Sequence, residues 1–260
     1  MKIISLNCWG GKFLDPLTDF VKNESRDTDI FCFQEMLSSS NNLENRDGFC
    51  NNLLERLSDL LWDFNLFFFP YIKDYDMSSK RYKDLYQGEV VFVNKKLKVL
   101  GKSEQIVVGK RFVKKLKSDF SNTPANLSTV ELQLMGSKYF INTFHGISRP
   151  GTKLDTSKRV KQSKTILRIM DTQKDFKILM GDFNLMPWTE SIKILEKSYR
   201  NLIKDFKIKN TRGRLNIING KIGDQRFADY TFVSSGIKVR DFKVPDVTIS
   251  DHLPMILEFE

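Results

Sequence analysis

The feature that most constrains the fold is the recurrence of short apolar, β-branched runs along the chain. Each run is bounded by turn residues, as expected of strands in a sheet. Eleven such runs are more strand than a simple doubly wound fold holds, whereas two sheets packed face to face with helices outside them accommodate them. The order of strand pairing cannot be deduced from this pattern. The predicted strands are 2–6, 29–34, 65–69, 89–93, 97–108, 127–135, 139–144, 176–180, 230–233, 237–244 and 253–259.

Three stretches between these runs have the spacing of amphipathic helices. They are 49–61, 156–170 and a segment that begins near Thr189, a good N-cap residue that follows Pro187. The residues predicted to face inward in the second helix are Val160, Ile166, Leu167 and Met170. No internal repeat and no Pro/Gly-rich linker divides the sequence, so we expect a single domain over residues 1–260.

Composition bears on partners and location. The net charge of +10, from 42 basic and 32 acidic residues, favours a polyanionic partner such as nucleic acid or an anionic membrane surface. Three cysteines without CxxC spacing argue against a disulfide framework and a structural zinc site. The longest apolar run, 66–70, is far shorter than the roughly 20 residues of a membrane helix, and the start has no signal-peptide cleavage pattern. We expect a cytoplasmic monomer without a transmembrane segment.

Polar residues stand directly at the ends of four of the predicted strands. They are Asn7, Glu35, the pair Asp182 and Asn184, and the pair Asp251 and His252. Side chains at strand ends face the rim of a sheet, where loops build sites on a rigid scaffold. Each residue alone also fits a plainer interpretation as a turn residue or an exposed pair. Their occurrence together, in this order, indicates a functional site.

In this order, Asn7, Glu35, Gly181-Asp182-Phe183-Asn184 and Ser250-Asp251-His252 resemble the motifs of the endonuclease/exonuclease/phosphatase superfamily, the DNase I-like proteins. The resemblance extends from Leu6 to Pro254. It implies an α/β fold, namely a four-layer α/β/β/α sandwich of two packed mixed β-sheets with helices outside. It also implies a Mg²⁺-dependent phosphodiesterase, in which water attacks the phosphate in line and Mn²⁺ can replace Mg²⁺.

The resemblance assigns a role to each residue of the set. The implied ligands of the ion are Glu35, Asp251 and Asn7. Asp182 is expected to orient and deprotonate the attacking water, and Asn184 to donate to the phosphate. His252 and His145 would hold the non-bridging oxygens and stabilise developing charge. Whether Asp182 or His252 is the general base, and whether one or two ions bind, stays open.

Two further acidic residues gain an interpretation from the resemblance. Residues 227–234 resemble the family's Asp-Tyr-x-x-x-Ser strand, so Asp229 is expected to bond the ring of His252 and fix its orientation. Glu89 stands where some members pair a glutamate with a histidine, here His145, and is taken as a supporting residue. The alternative for Glu89 and His145 is a buried ion pair without a catalytic role.

The branch of the family decides the substrate. Exonuclease III-like abasic-site enzymes usually carry a tyrosine where this chain has His145, so the chain is more similar to the His-bearing branches. We expect a nuclease or an enzyme that processes DNA or RNA ends. The segment from Leu6 to Gly10 also resembles neutral sphingomyelinases, so a phospholipid phosphodiesterase is an alternative, as is an inositol-phosphate phosphatase. A non-catalytic nucleic-acid-binding module would lack at least one of the metal or water-handling residues, and none is missing.

Basic segments and aromatic side chains are the candidate nucleic-acid contacts. The basic residues are Lys110, Arg111, Lys114, Lys115 and Lys117; Lys153, Lys158, Arg159, Lys161, Lys164 and Arg168; and Lys204, Lys207, Lys209, Arg212 and Arg214. Trp9, Trp188 and Tyr71 lie near the predicted site loops and are able to stack on bases. Of these we take Trp188 as substrate-binding. Core packing for Trp9 and Trp188, and a solvated face for the basic segments, are the alternatives.

Overall fold

The computed structural model describes residues 1–39, 47–134, 136–218, 221–222 and 224–260. The strands in these residues are β1 (Lys2–Asn7), β2 (Ile30–Ser39), β3 (Phe64–Tyr75), β4 (Arg81–Asn94), β5 (Lys98–Val108), β6 (Ala125–Leu134), β7 (Ser137–His145), β8 (Phe176–Asp182), β9 (Arg200–Asn201), β10 (Ile217–Ile218), β11 (Lys221–Ile222), β12 (Asp229–Val233), β13 (Val239–Lys243) and β14 (Met255–Phe259). The helices are α1 (Leu14–Glu24), α2 (Leu53–Leu60), α3 (Ser157–Asp171), α4 (Glu190–Glu196) and α5 (Leu202–Asp205), and Trp9–Gly11 forms a 3-10 turn.

The longer strands form two sheets of six strands each. One sheet has the order β13-β14-β1-β2-β4-β3 and the other β5-β6-β7-β8-β12-β9, while β10 and β11 pair only with each other. In the first sheet β1 and β2 run parallel, and in the second β7 and β8 do, whereas the other pairs are antiparallel. Both sheets are therefore mixed, and the predicted sandwich is confirmed.

The first sheet is buried on both faces. Alternate residues of a strand point to opposite sides, so Ile3 of β1 packs in the cluster between the sheets while its neighbour Ile4 packs with residues of α1 and α2. Each is fully buried, and such burial stabilises the fold by roughly 1.5–3 kcal/mol per side chain. Burial on both faces explains why β1 and β2 read as continuous apolar runs rather than alternating ones.

The second sheet is covered by α3 and α4, and the inward face of α3 agrees with the prediction only in part. Ile166 and Met170 are buried as expected, whereas Val160 and Leu167 are only half-buried. The remaining buried residues of α3 are Arg159, Gln162 and Ser163. Arg159 is fully buried because its guanidinium donates to the backbone carbonyls of Ile147, Ser148, Pro150 and Leu154. A basic residue assigned to a solvated or DNA-facing surface is in fact a structural support.

All eleven predicted strands are present, with shifted ends. The largest shift is in β4, which begins at Arg81 instead of Glu89, because polar residues there alternate on a strand paired with β3 and with the extension of β2. Met135, the predicted end of one run, lies outside the described residues. The sequence analysis missed α1 and α5. Among the described residues, no helix combines the length and apolar character needed to cross a membrane.

Candidate active site

Strand register brings the polar strand ends to one edge of the sandwich. Asn7 is the last residue of β1 and pairs with Gln34, the residue before Glu35. In the other sheet, His145, Asp182 and Asp229 lie at one level on three neighbouring strands. Since these strands belong to facing sheets, side chains far apart in sequence converge between the sheet edges.

Gly181 allows β8 to approach β7 closely just before Asp182. A Cβ at this position would lie 2.0 Å from the carbonyl oxygen of Phe144, and its φ of 141° is rare for residues with a side chain. Only glycine fits there without a shift of the backbone. The glycine of the Gly-Asp-Phe-Asn motif therefore has a packing reason, because it sets Asp182 beside His145.

Asp182 is the centre of the cluster. Its Oδ2 accepts from Asn7 Nδ2 at 3.1 Å, and its Oδ1 accepts from the Asn184 backbone N–H at 2.8 Å. Burial would raise the pKa of Asp182, but His252, Lys153 and other neighbouring cationic groups outweigh burial and lower the pKa to about 2. Asp182 is thus a buried carboxylate that stays ionised at neutral pH.

The predicted contact between Asp229 and the ring of His252 is confirmed. Nδ1 of His252 lies 2.9 and 2.8 Å from the two carboxylate oxygens. On the other side of the ring, Nε2 contacts Arg212 Nη1, and because a guanidinium has donors only, Nε2 must accept. Burial and Asp182 raise the pKa of Asp229, yet this tautomer places the ring proton on Nδ1, where an ionised Asp229 accepts it.

His145 is held by Tyr71. Nδ1 of His145 lies 2.8 Å from the Tyr71 hydroxyl, and Nε2 faces Glu35 Oε1 at 3.5 Å and Asp182 Oδ2 at 3.7 Å. Because the ionised carboxylate of Asp182 only accepts, Nε2 carries the proton and the tyrosine donates to Nδ1. Tyr71 is fully buried, so the prediction that it stacks on bases is wrong. Its role is to orient a histidine of the cluster.

Glu89 accepts a hydrogen bond from the backbone N–H of His145, but the ring of His145 bonds Tyr71 instead. Glu89 is fully buried, and its Oε2 accepts from the Ser128 hydroxyl and, at 3.4 Å, from Asn126 Nδ2. Burial raises the pKa of Glu89 well above its usual range. The residue is a buried support beneath the site whose protonated form burial favours, and Tyr71 takes the place beside the histidine ring.

Glu35 sits where the regular pairing of β2 is interrupted. The register with β4 shifts between Phe33 and Met36, and Glu35 has a φ of 56°, which is rare for a residue with a side chain. Asn184 has a similar φ of 54°. Such backbone strain persists where the surrounding structure imposes it and is concentrated at functional sites. Both residues are turned out of the strand geometry and toward the cluster.

Of the predicted metal ligands, Glu35 interacts with Asn7 and Asp251, but Asp251 does not belong to the group of ligand atoms gathered around Glu35. Burial and the charge of Asp251 raise the pKa of Glu35 to about 8, while a hydrogen bond from Asn7 opposes this shift. The ligand atoms of Glu35, His145 and Asp182 lie within 4.8 Å of one another. A carboxylate whose ionised form is disfavoured by burial and by like-charged neighbours is where a divalent cation gains most by binding.

Two cations of the cluster were not recognised as site residues from the sequence. Lys153 is buried, and its Nζ donates to Asn184 Oδ1 at 2.6 Å. Arg212 donates to Asp251 Oδ2 at 2.7 Å as well as to His252. Both had been placed in basic segments facing solvent or nucleic acid, and nothing in their local sequence distinguishes them from the exposed lysines and arginines nearby.

The charges of the cluster fit a divalent metal. Burial lowers the pKa of both histidines, so they are neutral at pH 7. Four acidic groups face two basic side chains, so the excess of negative charge amounts to two only when all four are ionised, the state that a bound cation would favour. The acidic residues are Glu35, Asp182, Asp229 and Asp251, and the cations are Lys153 and Arg212. Hard oxygen donors with this charge suit Mg²⁺ or Mn²⁺.

Trp188 lies outside the cluster. Its side chain is 60% exposed, and it lines a cavity of about 420 Å³ together with lysines and apolar residues. The lysines of this cavity are Lys193, Lys204, Lys207 and Lys209. Trp9, by contrast, is half-buried and stacks on Phe13 with 6.0 Å between ring centroids. Of the three aromatic residues named from the sequence, only Trp188 presents most of its ring to solvent.

Comparison with models of known protein families finds a match over most of the chain. The model of the Endonuclease/Exonuclease/phosphatase family matches residues 4–252. Among curated proteins, no sequence matches the chain.

Similar solved structures cover the whole chain. The Bacteroides thetaiotaomicron mannosyl-6-phosphatase Bt3783 has a TM-score of 0.71 at 17% identity, covering 100% of this chain and 99% of its own. The D. rerio TDP2 complexed with single strand DNA product has a TM-score of 0.71 at 15% identity, covering 100% and 98%. The human Nocturnin catalytic domain with bound sulfate has 0.67 at 18% identity, covering 100% and 93%. At these identities the likeness establishes the shared fold.

Proposed function

The chain belongs to the endonuclease/exonuclease/phosphatase family, an enzyme family that hydrolyses phosphoric esters, and on that basis we propose that it is a Mg²⁺-dependent phosphodiesterase acting on nucleic acid. The observation that carries the proposal is the convergence on Asp182 of an amide donor and two oriented histidines, beside the acidic group of Glu35 and Asp251. Phosphodiester hydrolysis needs a water activated beside a phosphate whose charge is offset, and this cluster offers groups for both tasks.

The proposed role of each side chain in the cluster follows from its protonation state and its hydrogen bonds. Asp182 is ionised and held by two donors, so it is able to take a proton from water. Asn184 is fixed by Lys153 and by Gly146, which positions it for the phosphate. His145 presents an N–H to the cluster, whereas His252 presents an acceptor. Held by Glu35, Asp251 and Asn7, a Mg²⁺ ion would supply Lewis-acid polarisation of the phosphate.

Support for nucleic acid comes from charge and from the Trp188 cavity. The protein carries a net charge of +10, and the exposed indole of Trp188 stands among four lysines. Stacking of bases on an aromatic ring beside a basic surface is how single strands are bound without sequence preference. The D. rerio TDP2 with the same fold was solved with a single strand DNA product. We also propose that the protein belongs to a branch of the family with a histidine at the position of His145, rather than to the abasic-site branch.

A second candidate is hydrolysis of a small polyphosphorylated substrate such as an inositol phosphate. A cavity of about 440 Å³ adjoins Arg212 and is lined also by Arg214 and Arg226. Three arginines around one cavity suit an anion that carries several phosphates. Two aspartates, Asp224 and Asp246, also line this cavity, which weakens its attraction for anions. We therefore rank this candidate second.

A substrate panel tests the proposal. The protein is assayed with Mg²⁺ or Mn²⁺ against single- and double-stranded DNA, RNA, an abasic duplex, a tyrosyl-DNA end, sphingomyelin and inositol phosphates. We expect cleavage of nucleic acid that a chelator abolishes and Mg²⁺ restores. We also expect Glu35→Gln, which keeps the shape but removes the charge, to lose activity. Full activity in excess chelator, or in Glu35→Gln, contradicts the proposed dependence on a divalent metal. Rapid turnover of sphingomyelin or inositol phosphate alone contradicts the proposed nucleic-acid substrate.

Salt dependence tests the nucleic-acid surface separately. Binding that neutralises phosphates releases counterions, so we expect the affinity for an oligonucleotide to fall at least tenfold between roughly 50 and 200 mM salt, the effect of about two phosphate contacts. Charge reversal of Lys204 and Lys207 should weaken binding and flatten this slope, and Trp188→Ala should weaken binding by removing a stacking platform. Lys96→Glu, on an exposed turn, is the control. An affinity insensitive to salt and to these changes removes the support for nucleic acid.

A further inference from the structure

Arg212 reaches into the cluster from the loop before β10. Its Nη2 donates to Asp251 Oδ2 at 2.7 Å and to Asn216 Oδ1 at 2.8 Å, and its Nη1 contacts His252 Nε2. Only 12% of the side chain is exposed. One face of the guanidinium therefore meets an expected metal ligand and an expected phosphate-facing histidine, and the same residue lines the neighbouring polar cavity.

The loop does not need the guanidinium for its own structure. The backbone around Arg212 is anchored on both sides, since the Thr211 N–H donates to Arg226 O at 2.7 Å and the Gly213 N–H donates to Asp251 O at 2.9 Å. The Thr211 carbonyl also accepts from the Leu253 N–H at 2.9 Å. These bonds fix the loop to the strand ends through the backbone, and the bond from Arg212 to Asn216 is an addition to a loop that is already anchored.

One hydrogen-bond donor of the guanidinium has no acceptor. The buried Nε of Arg212 has no hydrogen-bond partner among the described residues. Leaving a buried charged donor unpaired is unfavourable, and hydrogen bonds from a guanidinium to phosphate oxygens are strengthened by charge. A buried unpartnered donor on a residue that already touches the reaction centre indicates a ligand with acceptor oxygens.

We propose that Arg212 is a phosphate-binding residue of this site whose positive charge acts against the divalent cation at Asp251. Its charge attracts the phosphate of the substrate or product, and the same charge repels the metal and competes for the Asp251 carboxylate. Removing Arg212 should therefore change the two affinities in opposite directions. This inference rests on the proposed function, because it assigns a residue to the phosphate of that reaction.

The test measures both affinities by titration calorimetry. Mn²⁺ is titrated into wild type, Arg212→Gln and Arg212→Lys, and inorganic phosphate is then titrated at saturating Mn²⁺. We expect Arg212→Gln to bind Mn²⁺ about tenfold tighter and phosphate about tenfold weaker, the scale of one neighbouring charge. Arg212→Lys keeps the charge, so its Mn²⁺ affinity should stay near wild type while phosphate binding recovers in part. Arg240→Gln, which breaks an exposed ion pair with Glu260, should change neither affinity.

Opposite signs are the decisive result. If Arg212→Gln weakens both affinities, the arginine merely maintains the structure, and if phosphate binding is unchanged, the arginine does not bind phosphate; either result overturns the proposal. The phosphate titration is also run without a divalent cation. A wild-type protein that binds phosphate through Arg212 but binds no Mn²⁺ contradicts the proposed function and leaves the phosphate contact standing.

Discussion

Two histidines flank Asp182 at nearly the same distance, yet different partners hold them. Nε2 of His252 lies 3.6 Å from Asp182 Oδ2, and Nε2 of His145 lies 3.7 Å from the same oxygen. The Nδ1 of His252 bonds the carboxylate of Asp229, whereas the Nδ1 of His145 bonds the hydroxyl of Tyr71. The partners of the two Nε2 atoms differ as well, since one contacts a guanidinium and the other faces carboxylates.

The difference assigns different chemistry to the two rings. A carboxylate on Nδ1 stabilises the imidazolium that forms when Nε2 takes a proton, so His252 is suited to proton transfer. A neutral phenol gives no such stabilisation, so His145 is suited to donating a hydrogen bond from Nε2 to a phosphate oxygen. His252 and His145 lie at nearly the same distance from Asp182, yet the different partners of their Nδ1 atoms make Nε2 an acceptor in His252 and a donor in His145.

The largest expected effect comes from removing the carboxylate that both rings share. Asp182→Asn is nearly isosteric and should keep the fold, while kcat falls by about 10² or more, as expected when a positioned base is lost. The rate is measured with a nitrophenyl phosphodiester, and the melting temperature serves as the control for folding. A near-normal kcat for Asp182→Asn, together with loss of activity in His252→Ala, would transfer the role of base to His252.

Changing the two Nδ1 partners tests the contrast directly. Asp229→Asn should lower kcat by about tenfold or more, since orienting partners of this kind are typically worth 10- to 100-fold. Tyr71→Phe should lower kcat less, because His145 donates through Nε2 and does not need to become an imidazolium. Both variants are compared in kcat at saturating substrate over a range of pH. If Tyr71→Phe costs as much as Asp229→Asn, or more, the proposed division between the rings is wrong.

The two sides of the cluster should also respond to pH with opposite signs. On the His145 side, the pKa of Glu35 is raised from 4.5 to about 8 by burial and Asp251, so the folded protein binds the extra proton between these values. The free energy of unfolding then falls as pH rises, by up to about 1.4 kcal/mol per pH unit. On the other side, burial and Arg212 lower the pKa of His252 from 6.5 to about 4, so stability is lost as pH falls through that window.

Thermal denaturation in the presence of a chelator measures this difference. Glu35→Gln removes only the Glu35 contribution, so we expect its stability relative to wild type to increase from pH 5 to pH 8. His252→Gln should instead reduce the loss of stability between pH 6.5 and 4. Parallel curves for wild type and Glu35→Gln would mean that Glu35 is not held in its neutral form. Addition of Mg²⁺ should stabilise wild type most at pH 8, because the ionised form of the Glu35 carboxylate, which burial and Asp251 disfavour, is most populated there.

The smallest effect is expected at Glu89, which contacts the backbone of His145 and not its ring. Burial raises the pKa of Glu89 and so favours its neutral, protonated form, which a glutamine matches in shape and charge. Glu89→Gln should therefore keep nearly normal kcat, in contrast to Glu35→Gln. A large loss of activity with an unchanged melting temperature would return Glu89 to a role in the chemistry.

Most of the fold was predictable because strand signals are local. All eleven strands that were predicted from apolar runs bounded by turn residues are present in the structure. The strands β1 and β2 were easily recognised because burial on both faces leaves few polar residues in them. Where pairing is not reflected in hydrophobicity, prediction failed. The polar first half of β4 is a strand because it pairs with β3 and β2, and α3 buries Arg159 because carbonyls of the loop that precedes the helix accept from its guanidinium.

The sequence by itself determined which residues form the core of the site and which family the protein resembles. Asn7, Glu35, Asp182 and His252 stand at strand ends, and that position is visible without a structure. Tertiary structure alone decided their partners. Tyr71 and His145 are 74 residues apart, and Arg212 and His252 are 40 apart, so no local pattern links them. Because a histidine's tautomer and a carboxylate's charge depend on such neighbours, the roles within the site follow from packing, and the sequence supplied only the participants.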